Sequence, residues 1–222
     1  MSMIAENISS KVGEAMPKSI PLVAVITVLL AACSILYELI VAQTMSLLAA
    51  NTVVWYSVSV GLFLLGMGIG SFISDKIAGI SPWIGLAWLE VALSILGALS
   101  VALVHVGHML YSFYSLWGEE LIGRIIFFGL AFTTVLLVGL LSGIELPLLI
   151  RIGRMSKLNR PTSTILGLDY IGSLVGAILF PIFFLPRFEL TTIALIVALA
   201  NLALAALAAL RSSATKVHTV VH

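Results

Sequence analysis

The sequence is poor in charge: 9% of its 222 residues are Asp, Glu, Lys or Arg, and the formal net charge is +1. That balance carries no sign of a nucleic-acid surface, which rests on many Lys and Arg contacts to phosphate, and no nucleic-acid partner is expected. There is one cysteine, Cys33, so no intrachain disulfide can form. No strand, glycine loop and helix follow one another, so no nucleotide-binding fingerprint can be argued. The apolar runs contain no Ser/His or Cys/His pairing and no multi-histidine pattern, which leaves chemistry inside a bilayer without a nucleophile or metal. The longest connection between those runs, residues 107–124, is too short for a soluble domain.

What fills the chain is apolar. Hydrophobic residues make up 61% of it, and the mean hydropathy is +1.20. A soluble domain of this size has too little interior for that much apolar surface, so the lipid bilayer is the expected solvent. A helix needs roughly 20 apolar residues to cross a hydrocarbon core. The runs predict an all-α membrane bundle, a single domain over 1–222, with six transmembrane helices at about 20–41, 54–73, 83–106, 125–150, 165–185 and 190–210.

The few charges set an orientation. With the N-terminus inside, Lys11, Lys18, Lys76, Arg151, Arg154, Lys157, Arg160, Arg211 and Lys216 fall on the cytoplasmic side, and Arg124 and Arg187 on the outer side. Nine against two is a strong positive-inside bias. Both termini are expected in the cytoplasm, at the inner (plasma) membrane. Leu30-Ala31-Ala32-Cys33 has the look of a lipoprotein cleavage box, but the apolar run continues to Val41, which argues against lipidation and against a cleaved leader.

Residues 1–17 mix Glu6, Lys11 and Glu14 and suit a short amphipathic surface helix. Residues after Leu210 read as a loose tail. Trp55 and Tyr56, and Trp83 and Trp88, stand where interface anchors belong. Residues 107–124, rich in Tyr111, Tyr114 and Trp117, suit a short helix lying on the outer interface. His105, His108, Glu119 and Glu120 cluster there in sequence, but nothing supplies a fixed third ligand, so no metal is expected.

Glycines recur four apart: Gly66 and Gly70, Gly139 and Gly143, Gly172 and Gly176. Small residues at this spacing let helix backbones approach closely in lipid, and helix packing is their expected role. A sliding interface for transport is the sharper alternative.

Carboxylates within apolar runs are the candidate functional groups, because a charge there is costly. Glu90 lies about 10 Å inside the third span at 1.5 Å per residue. Glu145 lies one to two turns from the inner end of the fourth, and Asp169 about one turn into the fifth. Asp75 caps the inner end of the second. Glu38 is expected near the outer end of the first, with no acid but Glu119 and Glu120 near its depth, where it either simply reaches the interface or serves as an outer gate. Two readings of the inner acids stay open. Glu145 and Asp169 pair with Arg151, Arg154 or Arg160, or accept from Tyr170, and lock helices together. Alternatively Glu145, Asp169 and Glu90, with Glu38 as an outer gate, form a cation-binding site. Pro147 favours the second, because it frees a carbonyl one turn before it.

Four stretches carry a family resemblance. They are Ser34-Ile35-Leu36-Tyr37-Glu38-Leu39; Gly66-Met67-Gly68-Ile69-Gly70-Ser71; Gly143-Ile144-Glu145-Leu146-Pro147-Leu148-Leu149; and Leu168-Asp169-Tyr170-Ile171-Gly172-Ser173-Leu174-Val175-Gly176, running on to Phe180-Pro181 and Leu185-Pro186. With Asn201 they resemble, over about residues 25–205, the membrane portion of the membrane-bound spermidine synthases (polyamine aminopropyltransferases). In that family a cytosolic Rossmann-like catalytic domain follows the bundle, with a glycine-rich loop and aspartates for decarboxylated S-adenosylmethionine and the diamine. This sequence shows none of those motifs. The resemblance implies binding, sensing or movement of a polyamine-like cation, or anchoring of a separate catalytic chain, with no cofactor and no aminopropyl transfer by this polypeptide. Transport by so few spans would call for a homo-oligomer. The rival is a non-catalytic structural or accessory subunit of a larger membrane complex.

Overall fold

The computed structural model describes residues 19–49, 52–74, 76 and 81–220. Among these it is all-helical, with α1 (Ser19–Leu48), α2 (Thr52–Ser74), α3 (Pro82–Leu116), α4 (Glu120–Met155), α5 (Pro161–Leu179) and α6 (Leu190–Val220). A π-helical turn, Phe180–Phe184, extends α5. All six helices are long and apolar enough to cross a membrane. The expected surface helix over residues 1–17 and the Asp75 cap lie outside the described residues.

Two boundaries and one side-chain placement differ from the sequence expectation. No separate interface helix exists over residues 107–116, because α3 runs unbroken to Leu116. Nothing in Gly107–Leu116 breaks the helix, and the chain turns only at Gly118, whose φ of 79° suits glycine. At 35 residues, α3 is about 52 Å long, well beyond a hydrocarbon core of about 30 Å. Nor is there a loose tail after Leu210: α6 continues to Val220, through a segment free of Gly and Pro. Trp83 is not an interface anchor. It is 7% exposed and packs with Leu86, Leu149 and Ile152 near the basic end of the bundle, whereas Trp88 faces outward.

Helix α1 forms the centre. Leu30, Tyr37, Ile40 and Met45 along it are fully buried, and it touches every other helix. Around it the most extensive pairings are α3 with α4, α2 with α4, α3 with α6, and α1 with α5. The glycines explain two of them. A Cβ at Gly66 would lie 2.6 Å from the Leu136 carbonyl oxygen, and Gly70, Gly139 and Gly143 meet backbone across the same α2–α4 seam. Gly172 and Gly176 likewise seat α5 on the backbone of Val28 and Ala32 in α1. Outward faces are apolar, with Phe72, Leu116 and Leu202 among many exposed large residues. That is the surface a bilayer, rather than water, would cover.

Candidate functional site

Spacing along each helix decides what shares a face. On α1, Ser34 and Glu38 are one turn apart; on α4, Ser142 and Glu145; on α5, Asp169 and Ser173. Each carboxylate thus carries a serine beside it. The α1–α5 and α2–α4 seams bring these three faces to one cavity of about 180 Å³. Glu38, Glu145, Asp169, Ser34, Ser142, Ser173 and Tyr170 line it, with Phe63, Leu64 and Met67 of α2 as an apolar wall.

The floor is buried: Glu145 is 4% exposed, Ser142 3% and Glu38 7%. Asp169 is half-buried at the rim, beside an exposed Tyr170. Ser34 Oγ donates to Glu145 Oε2 at 3.0 Å. Ser142 Oγ, equally buried, has no hydrogen-bond partner. A buried hydroxyl left in that state costs about 1–3 kcal/mol, so a polar group aimed into this cavity without a partner marks a place for a ligand or water.

Glu145 and Asp169 do not pair with Arg151, Arg154 or Arg160. Six residues separate Glu145 from Arg151, which turns the arginine about 240° around the helix. Arg151 Nη2 instead donates to the Ser74 carbonyl at 3.0 Å, tying the ends of α4 and α2. Among the described residues the ion pair within 4 Å is Arg124–Glu120, at 3.4 Å and exposed. Glu38 is not alone at an outer depth, for it shares the cavity with Glu145 and Asp169.

Glu90 is at the expected level but outside this lining. It is 0% exposed on α3, and neither carboxylate oxygen has a hydrogen-bond partner. Ser94, one turn along, donates to the Ala198 carbonyl of α6 at 2.8 Å. Because α3 and α6 run antiparallel, this sets Asn201, whose side chain is also unpartnered, level with Glu90. Tyr37, whose hydroxyl has no partner, lies with its ring on Gly97 of α3.

Among the described residues no three His, Cys, Asp or Glu side chains gather as a metal-binding group. His105 Nδ1 engages the Val101 carbonyl of its own helix, and His108 packs on Tyr111 and Phe127. The pocket's three carboxylates do not form such a group. The serines beside the acids went unremarked in the sequence; their signal was the recurrence of an acid and a serine three or four apart.

Comparison with known proteins agrees with the motifs. The chain is 31% identical over 180 residues to a polyamine aminopropyltransferase of Leptospira interrogans, covering 80% of this chain and 33% of that protein. It is 33% identical over 176 residues to polyamine aminopropyltransferase 1 of Streptomyces coelicolor, covering 78% and 30%. With the polyamine aminopropyltransferase of Oceanobacillus iheyensis it shares 30% over 175 residues, covering 78% and 32%. No family model matches the chain, and no solved structure matches it. The chain spans about a third of the length of these curated relatives, and over about four-fifths of itself it is homologous to the polyamine aminopropyltransferases.

Proposed function

We propose that this chain is a multi-pass protein of the inner membrane that binds a polyamine-like organic cation at Glu38, Glu145 and Asp169, with both termini cytoplasmic. The observation that carries the reading is the cavity itself. Three acids from three helices line it, each with a serine, and no Lys or Arg is among its lining residues. An aliphatic amine presents spaced ammonium groups joined by methylenes. The carboxylates and serine hydroxyls accept from the ammonium protons, while Phe63 and Met67 lie along the methylenes. The relatives' names supply the polyamine, and the cytoplasmic side is where a catalytic partner chain would receive it.

The test is calorimetric titration of the purified protein in nanodiscs with spermidine, with Mg²⁺ as the compact-cation control. Binding by wild type, weakened about 10- to 100-fold in Glu145→Gln and Asp169→Asn, is the expected result, since each charge-assisted hydrogen bond contributes about 1.5–3 kcal/mol. Wild type that ignores spermidine would sink the reading. A stoichiometric membrane partner retained equally by wild type and both variants would instead make the chain an accessory subunit.

A further inference from the structure

The cavity's mouth does not face either end of the bundle. It lies between α2 and α5, which flank it without being among the closely packed helix pairs. Leu64, at its edge, is twelve residues from the start of α2 and ten from its end, which is about 18 Å and 15 Å along a 23-residue helix. Tyr170, on the other edge, is nine residues into α5, about 14 Å from Pro161. Leu64 is 60% exposed and Tyr170 67%. The most apolar windows of these two helices are 22% buried, the least of the six. For a hydrocarbon core of about 30 Å, the opening therefore sits at mid-bilayer and looks into acyl chains.

A free polycation would have to cross hydrocarbon to reach such a mouth, at the heavy cost of any unpaired charge in that medium. An amine that carries its own hydrocarbon has no such obstacle: its tail stays among the lipids while its head turns in. Another copy of this chain has no matching charge to offer at this level, because the described Lys and Arg residues lie near helix ends, in connections or, for Arg211 and Lys216, in the last third of α6. Inside, the unpartnered Ser142 hydroxyl lies among the three carboxylates, and Leu64 and Tyr170 stand at the exposed edge.

Resting on the reading above, we infer that the ligand is an amphiphilic amine, a polyamine or related ammonium head on an alkyl tail, which enters sideways from the bilayer between α2 and α5. The head lies against Glu145, Ser142 and Asp169, and the tail leaves past Leu64 and Tyr170.

The experiment is native mass spectrometry of the protein released from a non-ionic detergent, with two probes, spermidine and N1-dodecylspermidine. Wild type is expected to hold the dodecyl probe at least about tenfold more tightly than spermidine, because burial of as few as two methylenes gives that factor. The dodecyl probe is expected to be lost from a Glu145→Gln/Asp169→Asn variant, which separates the site from nonspecific partitioning. If spermidine binds as tightly as the dodecyl probe and needs the same acids, the polyamine reading stands and the amphiphile is overturned. If neither binds in an acid-dependent way, both fail. A photoreactive benzoylphenylalanine placed at the lipid-facing Tyr170 gives the second measurement. Crosslinks to lipid-sized adducts support the lateral mouth, and a crosslink to another polypeptide overturns it by showing a protein over the opening.

Discussion

Consider Gly66→Ala on the α2–α4 seam. The new Cβ would stand 2.6 Å from the Leu136 oxygen, 2.8 Å from the Leu140 nitrogen and 3.0 Å from the Gly139 carbonyl carbon. All three are backbone atoms of α4, so no side chain can swing away. Restoring contact at about 3.5 Å requires the helices to part by roughly 1 Å, and a gap of that size forfeits up to half of each dispersion contact along the seam. In lipid that packing is what holds helices together, since tails are as apolar as the side chains they would replace. The expected cost is about 1–3 kcal/mol, the range for an overpacked core. Gly68→Ala is the control. Its Cβ meets nothing within 4 Å, and Ala gains up to about 1 kcal/mol of helix propensity over Gly. Reversible unfolding in mixed micelles, followed by helical circular dichroism, separates the two. The reasoning is refuted if Gly66→Ala unfolds with wild type, or if Gly68→Ala loses as much as Gly66→Ala does.

Two further outcomes test the interior in the same assay. Gly97→Ala drives a methyl into the Tyr37 ring, so it is expected to destabilise alone by about 1–3 kcal/mol and to be rescued in part by Tyr37→Leu. A double-mutant cycle should show a coupling of about 0.5–3 kcal/mol, and a coupling near zero would mean the ring does not rest on Gly97. Glu90→Leu removes a buried carboxyl whose oxygens have no partners. It is expected to stabilise the fold by about 1–3 kcal/mol, whereas a clear loss of stability would reveal a bound group that Glu90 holds.

Much of the architecture was legible because its signal is one-dimensional. A run of about twenty apolar residues is a helix of spanning length wherever it packs, and glycines four apart announce a close seam without naming its partner. Ends were less legible. By hydropathy the first run stops near Val41, yet α1 continues to Leu48, because Gln43, Thr44 and Ser46 do not break a helix. Counting from the wrong end placed Glu38 too near the surface and isolated it from its companions. The acids and Pro147 stood out as costly groups in apolar runs, while the serines beside them did not, since a serine in a helix can bond to its own backbone, as Ser57 does to Val53.

The sequence by itself determined that this chain would be helical, apolar on its outside, and marked by a few buried carboxylates, because composition and periodicity act locally and need no partner. Tertiary structure alone decided which carboxylates meet. Glu38, Glu145 and Asp169 share a cavity, while Glu90, similar in chemistry and depth, is buried on α3 outside its lining. That outcome depends on the rotation of each helix about its axis and on which glycine seam closes against which neighbour. Those are pairwise choices among six helices, and no single segment of the sequence encodes them.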